Sequence, residues 1–390
     1  MIAASRLPRV AISVCFLADG ILLGSWASRV PAVQDHAGLS NPQLGVALFA
    51  SALGALVAMP VAGRLCDRIG SRPVLVVALL STCVALLSTS FTTGVASLAA
   101  ALFAFGAGFG STNVAANAQG LALEHTQGRR ILSSMHAAFS AGGLAGAGLG
   151  ALAAAAAIRP QAHFAIVTIV LAATTVAVMG RLLPGEGVTA GPRAKLQIRR
   201  ALVVLGAAAF CCMLAEGAAV DWSAVYLSRS AGAGAAVAAL GYSAFSLAMT
   251  ASRLAGDRIS GRLEPAALVS AGGALAAAGL GVALALGSTA AGVAGFIAMG
   301  AGLGVVIPVL FRAAGTAAGV SAGAGVATVS TIGWLGFLAG PAAIGFAAGI
   351  VGLRSALGIV VAMTVLLAVL GRGIEASAPA PVQVLAAANR

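Results

Sequence analysis

The chain has 390 residues, of which 60% are hydrophobic and 8% are charged, and its mean hydropathy is +1.04. A soluble chain carries about a quarter charged residues, so this composition excludes a soluble enzyme and a disordered chain. The net charge of +12 is spread singly or in small groups between apolar blocks, without the contiguous basic patch expected for nucleic-acid binding. The composition is that of a polytopic membrane protein.

Glycine, proline and charged residues divide the sequence into apolar blocks of about 20 residues, the length that crosses a bilayer as an α-helix. Lipid cannot satisfy exposed backbone groups, so helices are the expected spanning form and the predicted fold is all-α. The first block contains Asp19 and no convincing cleavage site, which favours a retained span over a signal peptide. The twelve predicted spans are 10–28, 43–63, 73–92, 95–119, 131–156, 161–182, 201–227, 235–253, 265–287, 289–311, 323–348 and 354–372.

The distribution of basic residues predicts the orientation of these spans. If the N-terminus is cytoplasmic, 18 of the 22 Lys and Arg residues fall in cytoplasmic segments. The remaining four, Arg29, Arg159, Arg229 and Arg354, fall outside. Because cytoplasmic segments are normally the richer in basic residues, both termini are predicted to be cytoplasmic.

The sequence also predicts two halves related by an internal repeat. The Leu-Ala-Asp-Gly segment at 17–20 is echoed by Leu-Ala-Glu-Gly at 214–217, and Asp-Arg-Ile at 67–69 recurs at 257–259. A same-sense repeat of six helices is typical of a transporter with two pseudo-symmetric bundles. The predicted units are an N-terminal six-helix bundle (1–183), a cytoplasmic linker (184–200) and a C-terminal six-helix bundle with a short tail (201–390).

The segment GRLCDRIGSR at 63–72, between the second and third spans, resembles the cytoplasmic loop signature of the major facilitator superfamily, G-x-L-x-D-R-x-G-R-[KR]. The resemblance implies a conformational contact between the inner ends of the two bundles that forms in one state and breaks in the other. Ser71 replaces a basic residue of the pattern, which we expect to weaken that contact. The residues assigned to it are Gly63, Asp67, Arg68, Gly70 and Arg72, with Asp257 and Arg258 from the second copy. Gly63 and Gly70 are expected to form a tight turn that leaves Asp67 free to meet arginines.

Further segments narrow the resemblance. The stretches GSTNVAANAQ at 110–119, LAEG at 214–217, DWSAVYL at 221–227 and GYSAFS at 241–246 are similar to the YbjJ-type inner membrane proteins. That branch resembles the fucose-permease-like facilitators and includes a MosC-like protein associated with rhizopine metabolism. The resemblance implies a secondary transporter and leaves its solute open.

Three carboxylates lie inside apolar blocks, where a charge is costly and usually functional. Asp19 and Glu216 occupy equivalent positions of the repeat, in the middle of spans one and seven, and Asp221 lies nearer the outer surface. We expect Asp19, Glu216 or both to exchange protons during transport, because neutralising a carboxylate would permit the carrier to reorient. The alternative for each is a buried polar group satisfied by its neighbours.

Other polar and aromatic residues could line a cavity. Asn113 and Asn117 share one face of span four and could bind a polar solute or a neighbouring helix. Trp26 and Trp222 could stack on a solute or anchor the outer interface, with anchoring favoured. His136, one turn into span five, could face the cavity or cap the inner end, and a lone histidine is more often structural.

The sequence predicts a multi-pass protein of the cell inner membrane, a monomer without a protein partner, cofactor or metal site. The five cysteines form no CxxC pair and no Walker motif is present. The predicted function is proton-coupled, alternating-access movement of a small, polar, sugar- or cyclitol-like solute. Proton-driven efflux of a toxic or apolar compound is the alternative, and a non-transporting membrane sensor or scaffold is the alternative of another class. An enzyme is not expected, because His136 and scattered serines supply no nucleophile–base pair.

Overall fold

The computed structural model describes residues 2–127, 131–184, 200–260, 262–315, 317 and 322–374. Every regular element in these ranges is a helix, as the composition predicts. In chain order the helices are α1 (Ile2–Ala37), α2 (Asn41–Ile69), α3 (Ser71–Thr89), α4 (Val95–Gln127), α5 (Leu132–Ala155), α6 (Pro160–Met179), α7 (Arg200–Arg229), α8 (Ala235–Ser260), α9 (Pro265–Leu286), α10 (Thr289–Leu303), α11 (Val306–Gly315), α12 (Ala322–Val351), α13 (Leu353–Ala356) and α14 (Gly358–Gly371).

These helices form 12 candidate membrane spans in the described residues, and each overlaps one predicted span. Two spans are broken into shorter helices, which the hydropathy pattern does not reveal. The tenth, Thr289–Gly315, is divided between α10 and α11 at residues 304–305. The twelfth, Leu353–Gly371, is divided between α13 and α14 at Leu357. The predicted number of spans is therefore confirmed.

We call the end of the molecule that carries Gly38, in the turn between α1 and α2, the outer face, after the predicted orientation. The opposite end, which carries Gly70 in the turn between α2 and α3, is the inner face. Both glycines have positive φ, 67° and 87°, a conformation that glycine adopts without steric penalty. The orientation relative to the cell remains a prediction.

The internal repeat is visible in the way the helices touch. A Cβ on Gly106 of α4 would overlap the carbonyl oxygen of Ser51 on α2. The equivalent contact in the second half joins Gly300 of α10 to the carbonyl oxygen of Phe245 on α8, 194 residues further along the chain on both helices. Each glycine permits direct backbone contact between helices. The two halves therefore pack their second and fourth spans in the same way.

The two bundles meet mainly along four pairs of helices, α5 with α8, α2 with α12, α1 with α7 and α1 with α8. On the outer side, the backbones of Gly45 and Gly345 approach so closely that a Cβ on Gly45 would lie 2.8 Å from the Gly345 Cα. Pro42 lies against Gly349 one turn further out. The seam between the bundles is thus closed at the outer ends of α2 and α12.

Two of the four predicted outer arginines belong to the helix framework. Arg29 lies within α1, is 5% exposed, and donates from Nη2 to the carbonyl of Ile158 at 2.6 Å. Arg354 donates to the carbonyls of Leu284 and Ala285, at 2.5 and 2.6 Å, in the last turn of α9. A cation near the C-terminal end of a helix satisfies free carbonyls and interacts favourably with the helix dipole.

Gln119 of α4 ties together the inner ends of the N-terminal helices, including the residues that follow α6. Its amide donates to Ser71 at 2.8 Å and to the Leu183 carbonyl at 3.1 Å, and its oxygen accepts from the Leu183 N–H at 2.9 Å. Ser71, the residue that departs from the motif, is therefore a buried structural partner. Residues 185–199 of the predicted linker lie outside the described part, so the boundaries at 183 and 201 remain predictions.

The glycine contacts predict opposite effects for one substitution at two sites. Gly106→Ala should lower the thermal stability of the detergent-solubilised protein, because overpacking a close helix contact costs about 1–3 kcal/mol. Gly63→Ala, in a helix with open space around the added Cβ, should leave stability unchanged or raise it through helix propensity. The measurement is the midpoint at which the monodisperse chromatographic peak is lost on heating. Equal midpoints for the two variants would contradict the packing described for α2 and α4.

Candidate functional site

A cavity of about 50 Å³ lies between the bundles. Five aromatic side chains line it, Trp26 and Phe105 with Phe109 from the N-terminal bundle, and Trp334 with Phe337 from α12. The rings contact one another on each side: the Trp26 and Phe105 centroids are 6.4 Å apart, and those of Trp334 and Phe337 are 5.4 Å apart. The remaining lining residues are Leu23, Leu48, Ser51, Ala52, Ala55, Gly106, Val220, Asp221 and Pro341.

Asp221 is the only ionisable residue among those lining residues, and it is 8% exposed. The Trp26 side chain lies beside the Asp221 carboxyl group. Because Asp221 belongs to α7 and Trp26 to α1, this interaction crosses the seam. The ion pairs found in the described residues are Arg229–Asp35 and Arg253–Glu216, so Asp221 has no cationic partner there.

The structure corrects the favoured interpretation of the tryptophans. Trp26 is 2% exposed and Trp222 is fully buried, so neither anchors the protein in the membrane interface. Trp26 lines the cavity, whereas Trp222 packs inside the C-terminal bundle and its indole nitrogen has no hydrogen-bond partner in the described residues. Trp222 follows the cavity residue Asp221 on α7 and points away from the seam, as expected for adjacent residues of a helix.

A cluster of polar side chains also lies at the seam, and Arg253 of α8 is at its centre. Its Nη2 lies 3.8 Å from Oε1 of Glu216 on α7, and its Nε donates to the Gly304 carbonyl at 3.3 Å. Its Nη1 donates to the Ser140 hydroxyl of α5 at 3.3 Å, across the seam. Cys212, one turn before Glu216, donates from its thiol to the same carboxylate oxygen at 3.7 Å. One guanidinium thus joins the carboxylate to the other bundle.

The sequence placed Arg253 at the inner end of the eighth span and counted it among the cytoplasmic charges, without assigning it a role at the seam. The structure shows that α8 continues past the predicted end at 253 to Ser260, and that the guanidinium of Arg253 bonds across the seam. The sequence signal for this longer helix was the continuation of the helical pattern past Arg253, the first charge in the block. Trp334 and Phe337 were missed because an aromatic residue in an apolar block gives no sign of facing a cavity.

His136, Asn117 and Asn113 form a connected polar chain. The Nε2 of His136 is 3.1 Å from Oδ1 of Asn117, and the Asn117 amide donates to the Asn113 carbonyl at 2.8 Å. The shared face of Asn113 and Asn117 is confirmed by their side-chain contact at 3.3 Å. His136 also lies within electrostatic range of Arg253. These residues extend the polar cluster into the N-terminal bundle.

Asp19 occupies a different environment from Glu216 despite their equivalent positions in the repeat. It is 3% exposed inside the N-terminal bundle, within electrostatic range of Cys15 and Cys83. Its Oδ1 has no hydrogen-bond partner in the described residues. Neither Asp19 nor Glu216 lines the cavity.

The loop motif is only partly a turn. Gly70 caps α2 with its N–H bonded to the Cys66 carbonyl at 3.0 Å, as predicted. Gly63, also assigned to the turn, lies within α2, where its surroundings are open; the turn role predicted for Gly63 is therefore wrong. Asp67 and Arg68 are exposed.

The contact predicted between the inner ends of the bundles is not formed by those of its residues whose side chains the structure describes. Asp67, Arg68 and Arg72 make no ion pair with the described part of the chain. The side chains of Asp257 and Arg258 lie outside that part. At the outer face, by contrast, Asp35 of α1 is ion-paired with Arg229 of α7 across the seam. The structure is therefore an outer-closed conformation.

Twelve spans in two bundles with a small cavity at their seam define a membrane transporter. Residues 11–324 match the family model of the Major Facilitator Superfamily. The chain is 33% identical over 366 residues to an uncharacterised MFS-type transporter of Yersinia pestis, covering 94% of this chain and 95% of the relative. It is 32% identical over 368 residues to the membrane protein MosC of Rhizobium meliloti, covering 93% and 89%.

Among solved structures, a D-xylose–proton symporter shares the fold with a TM-score of 0.75 at 13% identity, over 96% of this chain and 98% of the symporter. The chain belongs to the Major Facilitator Superfamily and is a secondary transporter. The family and the relatives are transporters rather than enzymes.

The outer ion pair predicts a measurable change in access to the cavity. Asp35→Arg should speed labelling of a Ser51→Cys reporter by a membrane-impermeant maleimide, because reversing one charge destabilises the outer-closed conformation. The two side chains are 60% and 44% exposed, and an exposed pair contributes about 0–1 kcal/mol, so an increase of about two- to fivefold is expected. The double variant Asp35→Arg with Arg229→Asp should return the rate towards that of the reporter alone. A rate unchanged by the single reversal would contradict the gating role of this pair.

Proposed function

We propose that this transporter moves a small, polar, sugar- or cyclitol-like solute in a proton-coupled cycle, with Glu216 as the group that exchanges the proton. The observation that carries the proposal is the arrangement of Glu216, Arg253 and Ser140. It places an ionisable carboxylate next to a guanidinium that donates to both bundles at the seam.

The chemistry follows from the charge on Glu216. When the carboxylate is ionised, it attracts Arg253 and holds the guanidinium in place, so the donor to Ser140 stays aligned. When Glu216 takes up a proton, this attraction is lost and Arg253 is free to reorient, which weakens the link to α5. Burying an unpaired charge in a membrane protein is costly, so proton uptake and bundle movement are expected to occur together.

Other groups around this carboxylate would influence its proton affinity. Cys212 donates to it from the same helix, and Tyr242 of α8 is within electrostatic range of both Glu216 and Arg253. His136 approaches Arg253 from α5. Asp19, enclosed in the N-terminal bundle, is better suited to a structural role than to proton exchange during bundle movement.

The wider assignment of the chain is part of this proposal. The identity to MosC over most of both chains supports placing it in the YbjJ/MosC-like, fucose-permease-like branch. The excess of basic residues in the predicted inner segments supports a location in the bacterial inner membrane, with both termini cytoplasmic. We further propose that it works as a monomer of two six-helix bundles joined by the linker at 184–200.

Outward movement of a toxic or apolar compound, driven by protons, is the second candidate. The observation that favours it is the predominance of aromatic and aliphatic side chains around the cavity. Both candidates use the same carboxylate and differ in the direction of solute movement. Energised vesicles of known orientation distinguish accumulation inside from extrusion.

Glu216→Gln tests the coupling. In proteoliposomes containing a pH-sensitive dye, solute-induced proton flux should fall about tenfold or more, the size expected for a lost coupling of about 1–3 kcal/mol. Exchange of labelled solute for unlabelled solute should continue, because it requires no net proton movement. Sugars, cyclitols and amino sugars are the solutes to screen.

Glu264→Gln is the matched control, since Glu264 is exposed before α9 and makes no side-chain cap; it should behave as the unmodified protein. If Glu216→Gln retained solute-induced proton flux at the control level, the proton role of Glu216 would be wrong. Loss of exchange together with flux would instead show that Glu216 serves solute binding or folding.

A further inference from the structure

We propose that the cavity at the seam binds the positively charged group of the solute, a protonated amine or a quaternary ammonium. The inference rests on the proposed function only in taking this cavity as the solute site. It specifies that the solute is positively charged, a property that the composition of the chain does not indicate.

The walls of the cavity are suited to a cation. Two tryptophans and three phenylalanines surround it, contributed by both bundles. The faces of aromatic rings carry negative electrostatic potential, and they attract an ammonium group within about 6 Å of the ring centre. Phe105 and Phe109 are nearly parallel, with an interplanar angle of 13° and centroids 6.2 Å apart. Their arrangement forms one wall, and Trp334 with Phe337 forms the opposing one.

The charge of the residues that line the cavity also favours a cationic ligand. Asp221 is the only ionisable group among the lining residues, which include no Lys, Arg or His. Ion pairs in the described chain use the other seam carboxylates, Asp35 and Glu216, and leave Asp221 without a cation. An ionised carboxylate that is buried without a countercharge is unfavourable, and a bound cation would supply that charge.

Solutes of other charge fit less well. An anionic group would face the Asp221 carboxylate in a site without a basic side chain. A neutral polyol would find few hydrogen-bonding side chains in the lining, namely Ser51, Asp221 and the Trp26 indole. Within the proposed class of sugar- or cyclitol-like solutes, the cavity therefore favours an amino derivative. Glu216 cannot take the same part, because Arg253 already lies beside it. The two carboxylates of α7 therefore have different roles: Asp221 binds the solute, and Glu216 exchanges the proton.

The size of the cavity indicates that it receives a head group. A volume of about 50 Å³ compares with about 30 Å³ for a water molecule in the liquid, so the outer-closed conformation has room for a group of a few heavy atoms. The remainder of the solute would extend along the seam. A cation held between rings of both bundles would also draw the two walls together.

Equilibrium binding to the purified, full-length protein in lipid nanodiscs tests this inference. The probes are choline and neohexanol, in which a carbon atom replaces the quaternary nitrogen and leaves the shape unchanged. Two of the three tryptophans, Trp26 and Trp334, line the cavity, so intrinsic fluorescence reports its occupancy. A Trp222→Phe background removes the buried third tryptophan. Choline should give a saturable change, and neohexanol should bind about tenfold more weakly or not at all.

Variants locate the effect. Asp221→Asn should remove the preference for choline, whereas Glu264→Gln, a matched loss of a carboxylate outside the cavity lining, should retain it. Trp334→Leu should weaken choline binding and Trp334→Phe should largely restore it. Thermal unfolding of each variant shows whether it is folded, and Asp221→Glu serves as a charge-retaining check. Equal binding of the two probes, choline binding that survives Asp221→Asn in a folded variant, or the absence of any saturable change with choline would each overturn the inference.

This inference and the proposed coupling can fail separately. If choline does not bind but neutral cyclitols still drive proton flux that depends on Glu216, only the cation site is wrong. If choline binds through Asp221 while Glu216→Gln leaves proton flux intact, only the coupling is wrong.

Discussion

The hydrocarbon core of a membrane offers a charged side chain neither water nor counterions, so each charge within the spans depends on the protein itself. Arg29 and Arg354 use carbonyls at the ends of neighbouring helices. Glu216 and Arg253 use each other. Asp221 and Asp19 have no such cation in the described chain, and of these two carboxylates only Asp221 lines the cavity. An unpaired charge is therefore assigned to solute binding only where it also faces the seam.

Close backbone contact is the second determinant of the fold. Because lipid is as apolar as the helix surfaces, association depends on packing, and glycine permits the closest approach. The repeated contact between second and fourth spans, through Gly106 and Gly300, gives each bundle a stiff interior. The seam is held differently, by Gly45 against Gly345, by the Asp35–Arg229 pair and by Arg253 on Ser140. Stiff bundles joined by a few separable contacts suit rigid-body movement.

The spans could be predicted from the sequence because hydropathy is a local property of about 20 residues. The polar residues Asn113, Asn117 and Glu216 were identifiable for the same reason. Which way a side chain points across the seam is a tertiary property, so Trp334 gave no signal and Asp19 was taken as the counterpart of Glu216. The seam contacts of Arg253 gave no signal either, because a charge at the edge of an apolar block resembles a loop residue, although the helix continues past it.

The hydrogen bonds between Gln119 and Leu183 have a consequence for biosynthesis. They tie the fourth span to the end of the sixth, and every residue that makes this contact is synthesised before the seventh span, which begins at Arg200. The first six helices can therefore assemble while the second set is still being made, as domains commonly do during translation. A nascent chain that stalls between the halves would contain all the residues of one bundle and would lack only its partner at the seam.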